Sequence, residues 1–237
     1  MKFIKTLLVI PVVLLLAAWS PEEINTQINE TNVNIGNFCT GTIVDKERKL
    51  VVTAAHCTKH MKKMKQVPDY NPEKRGGYTS VIFYAPVDLY IVKTDMEGNV
   101  FAEYKLYGEF VAEDEVNDVA LIRITTADVI LTKEAALSKK TVKRGDKVFA
   151  LGNPLMVTGS YSEGTVSKPK LGNSPGLPDF IPKDAIVFTS YMNKGSSGGA
   201  LYNDSGELIG ITDWGLPGGP YLASPVKNLV KLLESVK

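Results

Sequence analysis

Leu50-Val51-Val52-Thr53-Ala54-Ala55-His56-Cys57 is a short β-rich run that ends in two small residues, one of only two histidines and one of only two cysteines. The pair Ala54-Ala55 lets the backbone turn close behind the imidazole and leaves the ring face open to a cleft. Any chemistry that needs an imidazole must use His56 or His60, and His60 lies in a basic stretch with no carboxylate beside it. A second run, Asn117-Asp118-Val119-Ala120-Leu121-Ile122, opens an apolar strand with an Asp. Such an Asp sits at the rim of a core, where it can accept a hydrogen bond from an imidazole N–H and fix its tautomer. Asp88, Asp95 and Asp114 compete for that role, but none opens so clean a strand. The third run is Gly195-Ser196-Ser197-Gly198-Gly199-Ala200. Its glycines permit dihedrals closed to other residues, and backbone N–H groups freed in such a turn can converge on an oxyanion. Alone, each run is an ordinary strand end, strand start or flexible turn. In the order His, Asp, Ser they supply a hydroxyl nucleophile, its base and the base's orienter.

Outward from these runs, short apolar segments alternate with turns. The chain has 237 residues, 44% of them hydrophobic, with 20 Gly and 13 Pro, which points to β-rich structure and excludes a disordered tail. A formal charge of +1 excludes a general nucleic-acid binder, whose affinity would rest on many phosphate contacts. Many short strands suggest a sandwich or a barrel, and a Lys-rich connector at 131–145 suggests two of them. The expected divisions are a lead-in at 21–34, polar, Asn-rich and mobile, a first β unit at 35–130 and a second at 146–237. Val226, Leu229, Val230 and Leu233 at helical spacing predict a closing helix. Residues 59–75 hold Lys59, Lys62, Lys63, Lys65, Lys74 and Arg75 against Asp69 and Glu73, and read as a solvated loop able to steer acidic groups. His60 reads as a surface residue of that loop, with Met61 and Met64 covering apolar surface.

Residues 1–20 read as an export signal, with Lys2 and Lys5 before an apolar stretch from Thr6 to Trp19 and small residues at Ala17 and Ala18. The stretch is too short for a spanning helix, which needs about 20 residues. An uncleaved N-terminal anchor, associating the chain with a membrane, is the alternative. Trp19 stands where a lipid-bearing Cys would be needed, so no lipidation is expected. The predicted location is therefore periplasmic or extracellular. In an oxidising compartment the pair Cys39 and Cys57 reads as a disulfide rather than a metal site, with two free thiols as the alternative. Closing so short a loop contributes about 3 kcal/mol on the chain-entropy model.

Taken together, the motifs resemble the chymotrypsin-fold (trypsin-like) serine proteases over about residues 36–225, nearest the bacterial Deg/HtrA branch. Val148-Phe149-Ala150-Leu151-Gly152-Asn153-Pro154 and Ser162-Glu163-Gly164-Thr165-Val166-Ser167 are similar to that branch's second-barrel opening. The resemblance implies an all-β fold of two antiparallel six-stranded barrels with a C-terminal helix. It implies His56 as general base, Asp118 as its orienter and Ser197 as nucleophile, since the family's nucleophile is followed by Gly-Gly. The backbone N–H groups of Gly195 and Ser197 would form the oxyanion hole. Cys39–Cys57 would brace the His loop, and Tyr191, Trp214 and Gly215 would line the substrate. The implied activity is an exported serine endopeptidase acting on protein or peptide substrates, with no metal or cofactor. The alternatives are an inactive protease-like binding module and a surface scaffold protein.

Departures from the family pattern sharpen the expectations. Digestive members carry an Asp before the nucleophile that pairs with a new N-terminus, but here that position is Ser196, so activation by that route is not expected. Basic-specific members carry an Asp six residues before the nucleophile, where this chain has Tyr191, and no Asp or Glu occurs from 185 to 203. Cleavage after small or medium apolar residues is therefore expected. Asp213 replaces a small polar residue beside the triad and either raises the cost of charging both carboxylates or faces solvent. The chain ends soon after the protease domain, so the expectation is the protease domain alone.

Overall fold

The computed structural model describes residues 20–69, 77–178, 181–216 and 218–236. Helix α1 (Pro21–Thr31) is followed by β1 (Asn32–Ile35), β2 (Cys39–Asp45), β3 (Leu50–Thr53), the single turn α2 (Ala55–Thr58), β4 (Lys62–Asp69), β5 (Gly77–Tyr84), β6 (Val87–Thr94), β7 (Val100–Asp114) and β8 (Val119–Ile124). The second half holds β9 (Lys147–Gly152), β10 (Ser160–Lys168), β11 (Ile186–Phe188), β12 (Ala200–Asn203), β13 (Leu208–Gly215), β14 (Tyr221–Pro225) and α3 (Val226–Ser235). Strands β1-β2-β3-β8-β7-β6 close one antiparallel barrel and β10-β11-β14-β13-β12-β9 close another. The expected fold class, two six-stranded barrels with a C-terminal helix, is the observed one. Closure removes the exposed strand edges that would otherwise pair with other chains.

The polar lead-in is a correction. Residues 21–31 form α1, because Ser20 and Glu23 make a reciprocal cap: the Glu23 N–H donates to Ser20 Oγ at 3.2 Å and the Ser20 N–H to Glu23 Oε2 at 2.8 Å. Ile24 and Ile28, one turn apart, bury fully, each contributing about 1.5–3 kcal/mol. Three of its polar residues, Gln27, Asn29 and Thr31, are buried as well. Asn29 pairs with Thr94 on β6 through Nδ2 to the carbonyl (2.7 Å) and the Thr94 N–H to Oδ1 (2.8 Å), in the manner of a neighbouring strand.

After His56 the expected solvated stretch is exposed, but it is a strand pair and not a loop. Residues 62–69 pair with 77–84 as a two-stranded ribbon, anchored where Lys62 meets Glu113 at 2.9 Å and Glu115 at 2.6 Å. Met61 is buried and Met64 exposed, while the His60 ring packs at a tilt against Phe38 with centroids 4.2 Å apart. Lys74 and Arg75 of that stretch, and the whole export-signal segment up to residue 19, lie outside the described residues. Among the described residues no helix is long and apolar enough to cross a membrane.

A continuous core runs behind the cleft between the barrels. Ile28 of α1 and Leu229 of α3 pack in one cluster with Val52 and Leu121 of the first barrel and Leu151 and Ile211 of the second.

Candidate active site

The backbone leaves β3 at Thr53 and turns through Ala54 and Ala55, both buried, into α2, so the His56 ring is carried to the rim of the first barrel. Cys57 is disulfide-bonded to Cys39 at the start of β2, which ties that turn to the neighbouring strand. Asp118 sits between β7 and β8 in the left-handed region, at φ 54°, which few residues other than Gly adopt. The strain is held by two bonds to one residue. The His56 N–H donates to Asp118 Oδ1 at 2.8 Å, and His56 Nδ1 lies 2.7 Å from Oδ2. A carboxylate can only accept, so Nδ1 carries the proton and the neutral ring presents the Nε2 lone pair to the cleft. Trp214 covers the ring, with centroids 4.7 Å apart.

Ser197 approaches from the second barrel. Its hydroxyl donates to the Asp213 carbonyl at 3.1 Å and not to the imidazole; catalytic hydrogen bonds often tighten only with substrate in place. Gly195 and Gly198 have φ of 98° and 84°, and a Cβ on Gly198 would overlap Thr53 Oγ1 and the Thr40 carbonyl. The Ser196 N–H goes to the Asn193 carbonyl at 3.0 Å and the Gly198 N–H to the Thr212 carbonyl at 2.7 Å. The alternate N–H groups, of Gly195 and Ser197, have no acceptor among the described residues. Two unsatisfied donors beside a hydroxyl are what an oxyanion requires.

A groove of about 400 Å³ adjoins these groups, lined by His56, Tyr191, Met192, Trp214, Gly215 and Tyr221 among others. Tyr191 is exposed, at 55%, and its hydroxyl accepts from Asn193 Nδ2 at 2.7 Å. It walls the groove, whereas buried Met192 and the Tyr221 ring supply apolar surface that sequence reasoning missed. The apolar run Tyr221-Leu222-Ala223 reads as a strand and so carried a signal for Tyr221; nothing local marked Met192. Cys39, His56 and Cys57 are the sole cluster of potential metal ligands among the described residues, and the disulfide occupies both sulfurs.

Asp213 does not face solvent. It is 3% exposed and neither side-chain oxygen has a hydrogen-bond partner. Burial pushes its pKa well above the usual carboxylate value, and the nearby Asp118 charge pushes the same way; the Ser224 N–H approaches without completing a bond and offsets little. The folded state then holds a proton that the unfolded state releases near pH 4, so stability falls as pH rises through that window, by up to about 1.4 kcal/mol per pH unit, and levels off above the folded pKa. Asp213→Asn, a neutral mimic of the protonated acid, is expected to flatten this fall. Melting temperatures of both proteins from pH 4 to 9 check it, and parallel curves would refute it.

Two barrels meeting at a cleft that holds a His–Asp pair and a glycine-flanked Ser define a chain of the trypsin-like class. The profile of the trypsin-like peptidase domain matches residues 39–211, and the chain belongs to that family. It is 34% identical over 125 residues to the serine endoprotease DegS of Haemophilus influenzae, covering 52% of this chain and 33% of that protein. It is 38% identical over 116 residues to the periplasmic pH-dependent serine endoprotease DegQ of Escherichia coli K12, covering 47% of this chain and 24% of that protein. The match thus spans a third or less of these relatives' length. Among solved structures, Deg5 superposes with a TM-score of 0.62 at 20% identity, covering 90% of this chain and 91% of that one, a likeness of fold.

Proposed function

We propose that this chain is an exported serine endopeptidase that hydrolyses peptide bonds through an acyl-enzyme on Ser197. The observation that carries the reading is the His56–Asp118 pair, bonded at 2.7 Å through Nδ1, facing Ser197 in one cleft. Ser197 Oγ attacks the substrate carbonyl carbon as its proton passes to His56 Nε2. The oxyanion is received by the Gly195 and Ser197 N–H groups. The imidazolium, stabilised by Asp118, gives the proton to the leaving amine, and the C–N bond breaks. Water then repeats the sequence on the acyl ester, its proton passing through His56 back to Ser197. Export rests on the N-terminal apolar stretch and on relatives such as DegQ whose names place them in the periplasm. A fluorophosphonate probe is expected to label the purified chain once, on Ser197. An inactive binding module or a scaffold would stay unlabelled, and a label on Ser196 would overturn the assignment.

The groove favours small or medium apolar side chains before the cut bond. Met192 and Tyr221 offer apolar surface and Lys194 lines the groove; Asp213 lines it too, but both its carboxyl oxygens are buried and burial raises its pKa, which disfavours a counter-charge for a basic side chain. A Lys or Arg entering without a counter-charge meets a desolvation cost with no return. A peptide library should therefore show Ala or Val at that position favoured over Arg by about 100-fold in kcat/KM, the scale of a few kcal/mol of pocket discrimination. Dominance of Arg and Lys would sink the reading.

A further inference from the structure

The ribbon that follows His56 has two unlike edges. β4 carries Lys62, Lys63, Lys65 and Pro68, residue types that keep a free edge from pairing with other chains. β5 runs Gly77-Tyr78-Thr79-Ser80-Val81-Ile82-Phe83-Tyr84, with no charge and no proline. Among the described residues, its backbone groups from 78 to 83 bond nothing beyond β4. At 3.3 Å per residue this open edge is about 25 Å long.

Successive side chains of a strand point to opposite faces, and residues opposite each other across a pair share one. Lys63 stands opposite Phe83 and Lys65 opposite Val81, so one face joins two ammonium groups to two apolar side chains. Met64 stands opposite Ile82 and Pro68 opposite Tyr78, which makes the other face apolar. Residues 63–66 and 78–83 are exposed on both faces, with Ile82 at 62% and Tyr78 at 75%. Lys62 at the base is held by Glu113 and Glu115, whereas Lys63 and Lys65 have no acidic partner among the described residues. A two-stranded ribbon is marginal by itself in water, and a third strand stabilises it.

We propose that the β5 edge is a docking site for an extended polypeptide segment whose side chains alternate between carboxylate and apolar. The segment adds to β5 as a third strand through main-chain hydrogen bonds. Strands lie about 4.8 Å apart, so the added strand runs about 10 Å from β4. A Glu and a Lys side chain together cover that span, across Phe83 to Lys63 or across Val81 to Lys65. The alternate side chains fall beside Ile82 and Tyr78. Charge complementarity selects this occupant over a second copy of the chain, whose own β5 would bring no carboxylate and leave both lysines unpaired. No described residue of the ribbon lines the groove beside Ser197, so the inference stands independently of the peptidase reading.

The test uses the full chain with Ser197→Ala, which leaves peptides intact, and a fluorescent peptide of alternating Glu and Val. Anisotropy is expected to show saturable binding with Kd below about 1 mM. Affinity should fall about tenfold or more for a peptide of alternating Lys and Val, and for the Glu-Val peptide on Lys63→Glu/Lys65→Glu. Methylating every second backbone nitrogen of the peptide should abolish binding in one phase and spare it in the other, because only one side of the added strand faces β5. No binding at about 1 mM, equal affinity for the Lys-Val peptide, unchanged affinity in the double variant, or equal loss from both methylated phases would each overturn the inference. So would a dimer in sedimentation that Ile82→Lys dissolves, since it would put a second copy on the edge.

Discussion

Replacing Ser197 by Ala is expected to lower kcat for peptide hydrolysis by about 10⁶-fold, to the residual rate that binding and oxyanion contacts sustain alone. The expected effect is this large because in the proposed mechanism the Ser197 hydroxyl carries the acyl chain, and without it His56 would have no nucleophile to deprotonate. The neighbouring hydroxyl is no substitute. Ser196 is 4% exposed and its Oγ turns inward to accept the Asn193 N–H at 3.4 Å, so Ser196→Ala is expected to retain activity within about tenfold of wild type. Initial rates on a peptide substrate, normalised to active sites titrated in the wild type, separate the two variants. Equal losses from both would remove Ser197 from its assigned role.

The second large effect is expected from Asp118→Asn, a drop of about 10⁴-fold in kcat with little change in fold. The reason lies in the two bonds to His56. The backbone N–H of His56 can only donate, so the carboxamide must keep its oxygen where Asp118 Oδ1 now sits, 2.8 Å away. Its NH₂ then faces His56 Nδ1, now 2.7 Å from Oδ2. Nδ1 must accept, the proton moves to Nε2, and the ring loses the lone pair that would receive the Ser197 proton. Nitrogen chemical shifts of the His56 ring should report the exchanged tautomer together with the lost rate. A variant within tenfold of wild type would show that the orienting carboxylate lies elsewhere.

The parts of the site legible in the sequence are those whose signal is local. His56 behind two alanines, Asp118 before an apolar strand and Ser197 among glycines are each readable within six residues; His56 and Ser197 line one groove, with Asp118 buried and bonded to His56. Helix α1 was locally legible too. Ser20 and Glu23 at capping-box spacing and Ile24 and Ile28 one turn apart spell its start and its buried face, but the Asn-rich composition reads as a mobile lead-in. The ribbon after His56 was hidden by its lysines, because charge masked the pairing of residues 62–69 with 77–84. Thr40 and Asn153 carry no local mark at all. Their bond joins residues 113 apart in sequence, and the bond from Thr40 to Gly195 spans 155. Such contacts exist only once both barrels are closed. Asp213 could be flagged beforehand as an anomaly, but its burial could not be read from its neighbours.

The core shared by α1, α3 and both barrels has a consequence for how a chain lies in the cleft. A jaw-like opening needs a plane of weak, wet contacts between two halves, the usual condition of an interface between domains. Here Ile28 and Leu229 belong to one buried cluster that also holds Val52 and Leu121 of the first barrel and Leu151 and Ile211 of the second. The two walls of the groove therefore behave as one mould. A peptide bound in a groove with such walls would therefore supply most of the conformational entropy lost on binding.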